Sequence, residues 1–590
     1  MPTVKIDDRT VEVPEGTTVL KAARMAGIKV PTLCYLEDVQ AIGACRVCMV
    51  EIEGAKTLMA SCVTPVTDGM KVHTNTRRVR EGRRTVVELL LSEHDGDCQT
   101  CRRAGDCELK RLATDLGITE IRYAGRKGRK VIDASTDALV RDSGKCIKCL
   151  RCVSVCNEIQ SVGGLFPQDR GFDTSIGPAF AANLDSVVCV QCGQCAAVCP
   201  VGAITEKSQT AEVWKALDDP SKFVVVQTAP GVRVAIGECF GYPPGTRVTG
   251  KMMAALRWIG FDRVFDTNLT ADLTVIEEGM EFLERARRTL VDGEKGLLPQ
   301  FTSCCPGWIK FAEHFYPETL PQLSTCKSPQ QMFGSLAKTY LANKVGRKPE
   351  DIFVVSVMPC VAKKYESGRG EMHDSGQRDV DVVLTTRELG ELIKEAGIDF
   401  ASLPDEEADP IMGLSSGAAD IFANTCGVME AALRTVYEAV TDRQLPVDNL
   451  HVAPVTGLEG IKMTSLTLKD VQPEWKFLEG VTVSVVVAHG LANARKVVAL
   501  MKAGELQCHF IEIMSCPGGC IGGAGQPRLT TNEIRSKRIS GIYREDESKA
   551  MRKSHDNPKV KQIYGEFLKF PLGERSHHLL HTEYHRREKG

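Results

Sequence analysis

The sequence predicts a multidomain protein of mixed α+β and α/β class, in which small cysteine-rich domains precede a larger, two-lobed α/β domain. Its 590 residues are enough for about four domains at roughly 150 residues each. Before residue 210 the cysteines fall in short, regular spacings, whereas after it buried-strand patterns alternate with helical ones. Because 43% of the residues are hydrophobic, the chain can also form a large core.

The charge balance and the N-terminus predict a soluble, cytoplasmic protein. The 74 basic and 76 acidic residues nearly cancel, which argues against a nucleic acid or an anionic membrane as a partner. The first residues contain neither the apolar core of a signal peptide nor a twin-arginine signal. No apolar run reaches membrane-spanning length.

The 24 cysteines indicate metal binding rather than disulfides. Disulfide-rich chains are usually short, secreted and poor in core, whereas this chain is long and groups its cysteines in C-x-x-C units. Metal-binding thiols have to stay reduced, and a reducing compartment follows.

Residues 1 to about 78 predict a small β-rich domain. Val4–Ile6 and Thr10–Val13 are expected to be strands joined by a turn at Asp7–Arg9. A helical pattern then begins near Val19 and ends at Gly27.

Four cysteines follow in this first domain, and their spacing suits a [2Fe–2S] cluster of the plant-type ferredoxin kind: Cys34, Cys45, Cys48 and Cys62. Ten residues rather than four separate the first two, which departs from the plant pattern. On spacing alone a zinc site stays open. The preceding strand–strand–helix pattern favours the cluster.

A second ligand run follows an apolar helical stretch, Val86–Leu91, and combines one imidazole with three thiols: His94, Cys98, Cys101 and Cys107. Such a set can hold zinc as easily as iron and sulfide. By spacing alone the two alternatives stay open.

The third run is the most specific pattern, because C-x2-C-x2-C-x3-C occurs twice. In a two-cluster ferredoxin fold the fourth cysteine of each run binds the other cluster. The first [4Fe–4S] cluster is therefore predicted to be held by Cys146, Cys149, Cys152 and Cys199. The second is predicted to be held by Cys189, Cys192, Cys195 and Cys156. Asn157 replaces the usual proline after the first run, which leaves all eight thiols in place.

From about residue 210 the patterns predict buried parallel strands: Phe223–Gln227, Ile352–Val357, Asp381–Leu384 and Val481–Val487. The last leads into a helical pattern from Ala492 to Leu500 that closes near Gly504.

Reactive residues follow these strands or short apolar runs, at Thr228–Pro230, Cys304–Cys305, Cys360 and Cys516. In open α/β sheets ligands collect beyond the carboxyl ends of strands, so we expect one site between two lobes.

Three motifs carry the chemistry of this second half: Phe301–Trp308 (FTSCCPGW), Met358–Lys364 (MPCVAKK) and Met514–Cys520 (MSCPGGC). They supply the four thiolates that a cubane cluster needs: Cys305, Cys360, Cys516 and Cys520. Together they resemble the motifs of the iron-only ([FeFe]) hydrogenases, which interconvert protons, electrons and H2. The resemblance covers essentially the whole chain, both with multi-cluster clostridial-type enzymes and with catalytic subunits of NAD(P)-linked or bifurcating hydrogenases.

The resemblance implies an H-cluster, in which those four thiolates hold a [4Fe–4S] cluster. Cys520 would also bridge to a two-iron subcluster that carries CO, cyanide and an azadithiolate. Lys363 matches the lysine that donates to a cyanide, although a solvated surface lysine is its plainer interpretation. Five further residues match positions lining the pocket: Met358, Met514, Gln330, Ser328 and Phe422.

A proton path is also implied by the resemblance. Cys304, with no ligand role, would pass protons to the bridgehead amine. The path would continue through Glu278, Ser324 and Glu281, with Arg285 nearer solvent. Glu278 and Glu281 are three apart on a predicted helix and share a face, although acidic pairs on helices are usually solvated.

The resemblance also assigns the domains. His94 and its three cysteines resemble the His/Cys3 [4Fe–4S] module shared with the large peripheral subunit of respiratory NADH dehydrogenase. We expect a β-grasp [2Fe–2S] ferredoxin-like domain (1–78), this module (79–125), a two-[4Fe–4S] ferredoxin domain (126–209), the catalytic H-cluster domain (210–527) and a small-subunit-like helical tail (528–590). In all, one [2Fe–2S] and three accessory [4Fe–4S] clusters are expected.

Four cysteines and the tail have no assigned role. Cys239, Cys326, Cys426 and Cys508 are predicted to be buried apolar thiols, and Cys426 stands where glycine is expected. The tail carries His577, His578, His581 and His585. Histidines four apart share a helix face and could bind zinc, but a solvated or partner-docking segment is the plainer expectation.

The electron partner stays open between ferredoxin and NAD(P)H-binding flavoprotein subunits, because no G-x-G-x-x-G follows a strand. Maturation proteins are expected to build the H-cluster, with H2 and protons as substrates. Rival functions are a hydrogen sensor, a non-enzymatic iron–sulfur assembly or electron-transfer protein, and a respiratory dehydrogenase subunit. The first of the three motifs argues against an assembly protein, and the motifs of the second half argue against a respiratory dehydrogenase subunit.

Overall fold

A computed structural model of the chain describes residues 1–128, 130–452 and 459–588. The N-terminal domain is built on a five-stranded sheet in the order β2-β1-β5-β3-β4. Its strands are β1 (Thr3–Ile6), β2 (Arg9–Glu12), β3 (Met49–Ile52), β4 (Met59–Ala60) and β5 (Met70–His73). β1 pairs antiparallel with β2 and parallel with β5, and this mixed sheet packs its apolar side on helix α1 (Val19–Met25).

The predicted hairpin and helix of this domain are confirmed. Asp7 in the turn has a φ of 49°. The side chain of Thr18 accepts from the backbone N–H of Lys21 and so caps α1. The helix stops where Gly27 enters the left-handed region, with a φ of 70°.

The following segment consists mainly of loops between short elements. Its strands are β6 (Ile132–Asp133), β7 (Leu139–Asp142), β8 (Phe166–Gln168), β9 (Ser175–Gly177) and β10 (Ile204–Glu206). Its helices are α2 (Arg77–Glu93), α3 (Glu108–Asp115), α4 (Arg151–Ser154) and α5 (Gln194–Val198). One apolar cluster joins α2, α3 and both cysteine-rich runs, so these modules share a core.

The large domain contains two four-stranded sheets, which are its two lobes. The first has the order β12-β11-β14-β15 and is parallel throughout. Its strands are β11 (Phe223–Thr228), β12 (Arg263–Asp266), β14 (Ile352–Met358) and β15 (Val382–Thr385). The second has the order β13-β18-β17-β16. Its strands are β13 (Gln300–Phe301), β16 (Ile461–Thr467), β17 (Thr482–His489) and β18 (Phe510–Met514).

All four strands predicted for this domain are present within a residue or two of their expected ends. In the second sheet only the edge strand β16 runs antiparallel to its neighbour. The helices packed on the two sheets are α6 (Thr210–Leu217), α7 (Thr249–Ile259), α8 (Asn268–Leu290), α9 (Pro306–Phe315), α10 (Pro329–Leu336), α11 (Ala342–Val345), α12 (Ala362–Ser367), α13 (Thr386–Glu395), α14 (Gly417–Asp420), α15 (Gly427–Thr441) and α16 (Leu491–Lys502).

The C-terminal segment lies against the large domain and contains α17 (Asn532–Ser548), α18 (Pro558–Ile563) and α19 (Glu574–Leu580). Its apolar residues Val560, Ile563 and Leu580 belong to the core of the first lobe. Within the described residues, none of the helices has the length and apolar character that crossing a membrane requires.

Candidate active site

Four strand ends from the two lobes meet at one pocket. β11 is followed by Ala229–Gly231, β13 by Cys304 and Cys305, β14 by Cys360, and β18 by Cys516 and Cys520, and all of these line the same cavity. Because β11 and β14 are adjacent parallel strands, and β13 and β18 are adjacent in the other sheet, their carboxyl ends open at the same edges. The predicted site between two lobes is therefore present.

The four thiols of the three motifs converge in this pocket. Cys305, Cys360 and Cys516 are buried, and Cys520 is partly buried. Burial, followed by the neighbouring thiols of Cys516, Cys305 and Cys520, raises the pKa of Cys360 well above its ordinary value. If these four thiols lost their protons, the four negative charges would repel one another strongly in an apolar pocket. Positively charged iron would offset that repulsion.

Backbone packing leaves room for such a group but little for extra side chains. Gly519 has a φ of +87°, and a Cβ on it would lie 2.4 Å from the backbone nitrogen of Thr425. A Cβ on Gly523 would lie 2.1 Å from the carbonyl oxygen of Pro359. Gly519 therefore lets the Cys516–Cys520 loop pass close to the Asn424–Thr425 backbone, and Gly523 lets the chain just after it pass close to the loop after β14. The thiol donor set and this close cradle fit a cubane cluster.

The rest of the pocket wall is largely apolar, and it includes four of the five predicted lining residues: Met358, Met514, Gln330 and Phe422. The cavity holds about 80 Å³ of space open to water-sized molecules, which is below the roughly 300–1,000 Å³ typical of pockets for drug-sized ligands. The pocket therefore suits a compact inorganic group and a very small substrate.

Ser328, the fifth predicted lining residue, lies behind the wall and donates to Glu366 at 2.8 Å. Glu366 also accepts from Gln330 at 3.1 Å and from the Lys363 ammonium at 3.0 Å. Sequence reasoning missed Glu366. The only signal for it is its place three residues after Lys363, on the same face of α12.

Lys363 is held in place rather than solvated. Its ammonium donates to the Cys304 carbonyl at 3.0 Å as well as to Glu366. Burial lowers the pKa of Lys363, but Glu366 and then Cys360 more than offset this, so the pKa is raised above its ordinary value. The buried charge at the pocket wall is therefore a permanent cation.

A hydrogen-bonded chain of buried polar groups leads away from the pocket. Ser324 donates to Glu281 Oε2 at 2.6 Å, and Arg285 donates to Glu281 Oε1 at 2.7 Å. Burial, followed by the nearby charge of Glu281, raises the pKa of Glu278 to about 8, and Ser324 acts on this carboxyl in the opposite direction. The structure thus brings together all four predicted path residues beyond Cys304, although Arg285 is itself only 7% exposed.

Cys304 lies at the pocket end of this chain. Burial, and after it the charge of Glu278, raises the pKa of the Cys304 thiol well above its ordinary value. Glu278 is thus the charged group with the largest effect on the pKa of this thiol, and Cys304 itself lines the pocket. A buried thiol with a raised pKa keeps its proton at neutral pH.

The first accessory set also comes together. Cys48 Sγ and Cys62 Sγ lie 3.4 Å apart. Cys34 has close sulfur contacts with Cys45 and Cys62, and contact with Cys45 has the largest effect in lowering the pKa of Cys34. Two sulfur pairs side by side match the two irons of a [2Fe–2S] cluster.

In the second set, the His94 ring is buried and its Nδ1 has no hydrogen-bond partner in the described structure. An unsatisfied ring nitrogen in the interior is expected where a metal would be bound. Of the three thiols, Cys107 has a pKa raised by burial, and the nearby thiol of Cys101 adds to the increase.

The crossed division of the eight cysteines of the double run stays a prediction, and the structure places Cys199 beside the first three of them. Cys199 is among the charged neighbours of Cys146, Cys149 and Cys152, and these four line one small cavity. Cys156 has Cys189 among its charged neighbours and is itself among those of Cys192, Cys195 and Cys152, so it lies between the two sets.

Sulfur spacing separates clusters from single zinc ions. In a tetrahedral zinc site the ligand sulfurs lie about 3.8 Å apart, given Zn–S bonds of about 2.3 Å. Across the described residues, the one group of three or more candidate ligands within 4.8 Å of each other is Glu281, Cys326 and His581. In the described residues, therefore, no three ligands of any predicted cysteine set lie within 4.8 Å of one another, although Cys48 and Cys62 form a close pair.

The modules touch through close contacts between their ligand loops. Gln40 Nε2 donates to both the Cys34 carbonyl at 2.8 Å and the Cys149 carbonyl at 2.9 Å. A Cβ on Gly202, three residues after Cys199, would lie 2.7 Å from Cys101 Sγ. Both N-terminal sites therefore meet the first cubane site.

The second cubane site meets the active pocket. A Cβ on Gly193 would lie 2.6 Å from Val361 Cβ, and one on Gly307 would lie 3.6 Å from Cys192 Cβ. Ser515, beside Cys516, contacts Cys305 Sγ at 3.3 Å and accepts at its carbonyl from Gln160 at 2.9 Å. The cysteine sites thus adjoin one another continuously up to the pocket, and the two N-terminal sites form two branches that meet at the first cubane site.

The unassigned cysteines lie outside the pocket wall. Cys426 has a φ of 71°, which explains why glycine is expected there, and its N–H donates to Glu512 at 2.6 Å. Cys326 lies beside Glu281, with the sulfur 3.9 Å from Oε2. Cys239 and Cys508 are partly buried.

The tail histidines differ from one another. His577, His578 and His585 are exposed, whereas His581 is only 3% exposed and lies against the Ser324–Cys326 segment. For His581 the expectation of a solvated segment is wrong, because the tail docks on its own chain.

Family models match nearly every part of the sequence. The iron only hydrogenase large subunit, C-terminal domain, matches residues 222–524, and the iron hydrogenase small subunit matches residues 532–587. A 2Fe-2S iron-sulfur cluster binding domain matches residues 1–77, and a 4Fe-4S dicluster domain matches residues 145–203. The NADH-ubiquinone oxidoreductase-G iron-sulfur binding region matches residues 83–122.

Similar proteins cover the whole chain. NADP-reducing hydrogenase subunit HndD of Solidesulfovibrio fructosivorans is 50% identical over 599 residues, with 100% of both chains covered. Iron hydrogenase 1 of Clostridium pasteurianum is 38% identical over 99% of this chain and 100% of its own. Cytosolic iron-sulfur assembly component 3 of Rattus norvegicus is 32% identical over 68% of this chain and 83% of its own.

Among solved structures, a variant of apo [FeFe]-hydrogenase HydA1 from Chlamydomonas reinhardtii superimposes with a TM-score of 0.57 at 44% sequence identity. The match covers 63% of this chain and 98% of that one. The part of this chain left uncovered is of the size expected for the accessory modules.

Proposed function

The chain belongs to the iron-only hydrogenase family, and we propose that its pocket catalyses the reversible reaction 2H⁺ + 2e⁻ ⇌ H2 at an H-cluster. One observation carries this proposal: Cys305, Cys360, Cys516 and Cys520 converge around one small cavity, with the free thiol of Cys304 beside them. The family membership makes the protein an enzyme of hydrogen chemistry. The ligands, the proton path and the partners below are our proposals.

We assign the [4Fe–4S] part of the H-cluster to these four cysteines, with Cys520 as the bridge to the two-iron subcluster. When bound, this group would supply the redox-active iron that the interconversion of protons and H2 requires. Around it the Lys363 ammonium would donate to a cyanide ligand, and Glu366 would hold that ammonium in position. Met358, Met514 and Phe422 would exclude water from the remaining wall.

Protons would travel between the pocket and solvent through Cys304, Glu278, Ser324, Glu281 and Arg285. The hydrogen bonds from Ser324 and Arg285 to Glu281 are within transfer distance. A carboxyl whose pKa is about 8, as for Glu278, can both hold and release a proton near neutral pH.

Electrons would enter at two N-terminal sites and merge at the first cubane. The Gln40 bridge supports transfer from the [2Fe–2S] site, and the Gly202 contact supports transfer from the His94 site. The second cubane would then pass electrons to the active pocket next to Gly193. Plant-type [2Fe–2S] clusters work near about −400 mV, which suits proton reduction at neutral pH.

We propose that the physiological partner is an NAD(P)H-binding flavoprotein subunit. The relative that matches this chain end to end at 50% identity is a subunit of an NADP-reducing hydrogenase, and it supports this choice over ferredoxin. Ferredoxin stays the second candidate. We place the protein in the cytoplasm, where thiols stay reduced, and expect dedicated maturation proteins to insert the two-iron subcluster.

The assembly-protein alternative is disfavoured by the double cysteine and the path behind it. An assembly protein would need neither Cys304 nor a buried carboxyl next to it, and a buried carboxyl is costly to keep without a use. The sensor alternative would keep the same site with weak turnover.

Anaerobic infrared spectroscopy tests the function directly. Protein produced with the hydrogenase maturation proteins should show bands from iron-bound CO and cyanide that shift under H2. A control is the Cys520→Ala variant, which should lose these bands. If fully cluster-loaded wild-type protein shows no such bands despite active maturation proteins, the H-cluster assignment is wrong and the assembly or electron-transfer alternatives gain.

A further inference from the structure

A buried trio of metal-type ligands lies beside the proposed proton path. Cys326 Sγ is 3.9 Å from Glu281 Oε2 and 3.9 Å from His581 Nδ1, and the three ligand atoms all lie within 4.8 Å of one another. All three residues are at most 8% exposed. One thiol, one imidazole and one carboxylate form the mixed donor set that zinc binds.

The separations are close to those of a real zinc site. With bonds of about 2.3 Å to sulfur and about 2.0 Å to nitrogen, a tetrahedral ion places these two atoms about 3.6 Å apart. The observed sulfur–nitrogen distance of 3.9 Å therefore needs to close by only a few tenths of an ångström.

The imidazole is already oriented for metal binding. His581 Nε2 lies 3.2 Å from Glu277 Oε2, while Nδ1 faces the trio and lies 2.7 Å from Thr325 Oγ1. Glu277 is fixed in turn by Tyr564, whose hydroxyl donates at 2.6 Å, and by the N–H of Leu572 at 2.8 Å. A carboxylate behind a histidine is the usual second layer of a metal site.

The backbone fixes the tail segment that carries this histidine. The N–H of Lys327 donates to the Leu580 carbonyl at 2.7 Å, and the N–H of Thr582 donates to the Thr325 carbonyl at 2.7 Å. Cys326 and His581 therefore face each other in a bridge between two extended segments. The trio is thus built from elements that are held rigidly, not from loose side chains.

We propose that Glu281, Cys326 and His581 form a binding site for a zinc ion, and that a bound ion blocks the proton path. The block rests on the proposed function, because Glu281 Oε2 is the same atom that accepts the Ser324 hydroxyl at 2.6 Å. A metal ion on this oxygen removes its basicity and competes for the Ser324 hydrogen bond. The chain then has a gap between Ser324 and Arg285.

The local charges permit a divalent ion. Binding releases the Cys326 proton, so the ion meets two negative ligands, Glu281 and the Cys326 thiolate. Arg285, which donates to Glu281 at 2.7 Å, adds one positive charge, and the Glu277 carboxylate behind His581 balances it. A water molecule can fill the fourth position, as in open zinc sites.

A surface imidazole lies over the trio on the tail side. His577 is exposed and stacks on the His581 ring, with the ring centroids 4.6 Å apart and the ring planes nearly parallel. It offers an imidazole at the surface, directly above the buried one.

X-ray absorption at the zinc edge tests the site itself, because iron does not interfere there. Fully cluster-loaded protein with one equivalent of Zn²⁺ should show one sulfur at about 2.3 Å with nitrogen and oxygen at about 2.0–2.1 Å. Cys326→Ala should lose the sulfur signal, and His581→Gln should lose an imidazole. Cys508→Ala and His578→Gln remove a partly buried thiol and an exposed imidazole elsewhere, so these matched controls should keep the wild-type spectrum.

Hydrogen evolution measured on the same samples tests the block. Zinc should reduce the wild-type rate by about 100-fold or more, since relays of this kind contribute about 10²–10⁴-fold, and a chelator should restore it. Cys326→Ala should need far more zinc than wild type to lose the same fraction of its rate. Each rate is expressed relative to the metal-free rate of the same variant. Glu277→Gln should weaken zinc binding by about 10- to 100-fold.

The outcomes separate the two proposals. A spectrum without sulfur, or one unchanged in Cys326→Ala, overturns the zinc site. The expected ligands without any loss of rate would leave the site in place and overturn the proton path through Glu281. Inhibition that is equal in wild type and Cys326→Ala means zinc acts elsewhere, which also overturns the proposal.

Discussion

The cluster side and the glutamate side of the pocket are built from different kinds of contact. On the cluster side, ligand loops pack backbone to backbone, as where a Cβ on Gly193 would lie 2.6 Å from Val361. On the glutamate side, single atoms are joined by hydrogen bonds, as from Ser324 to Glu281 at 2.6 Å. Electrons need only proximity, whereas protons need an unbroken chain of donors and acceptors.

This difference predicts that the two sides fail in different ways. The glutamate side should be sensitive to the loss of one transferable proton with no change of shape. The cluster side should be sensitive to added bulk with no change of charge. Isotope exchange between H2 and D2O separates them, because it needs proton movement but no net supply of electrons from outside.

The largest effect is expected from Glu278→Gln. The amide keeps the size and hydrogen bonds of the carboxyl but has no proton to transfer, so turnover and H2/D2O exchange should both fall by about 10²–10⁴-fold. Iron content should be unchanged. Glu284→Gln is the matched control, since Glu284 is exposed on the same helix and pairs with Arg287. If Glu278→Gln keeps near-normal turnover, the path does not run through Glu278.

Cys304→Ala tests the pocket end of the same path. Without the thiol no group is left between the pocket and Glu278, so turnover should be lost while cluster content stays intact. Near-normal turnover in this variant would refute the relay.

A smaller effect is expected from Gly193→Ala on the cluster side. The methyl group would force the second cubane loop away from Val361, so turnover with an electron donor should fall severalfold while H2/D2O exchange is kept. Gly504→Ala is the matched control, because its φ of +74° is close to the +75° of Gly193 but nothing lies within 4 Å. A fall in exchange as large as the fall in turnover would contradict the separation of the two sides.

The smallest effect is a spectroscopic one that leaves the rate unchanged. Burial raises the pKa of Glu278 to about 8, so its carboxyl should be protonated below that pH and ionised above it. The infrared band of this protonated carboxyl should therefore disappear with a midpoint near pH 8 in wild type and be absent in Glu278→Gln. A midpoint near about 4.3, the ordinary value for glutamate, would show that Glu278 is solvated.

Features held within short segments were determined by the sequence alone. The first hairpin, the cysteine runs and the three motifs are each set by local spacing. The four strands predicted for the large domain were correct to within a residue or two, whereas β12, β13, β16 and β18 were not predicted. The crossing of Cys156 and Cys199 is likewise a prediction from the sequence alone, because it follows from the repeated spacing.

Contacts between segments that are distant in the sequence were determined only by the tertiary structure. Glu366 was missed because its partners Ser328 and Gln330 lie at the start of another helix, 38 and 36 residues away. His581 contacts Thr325, which is 256 residues away in the sequence. The expectation that the tail is solvated was therefore wrong for that one side chain. Spacing along the chain encodes local geometry, whereas these contacts depend on how lobes and tail pack, which no single segment specifies.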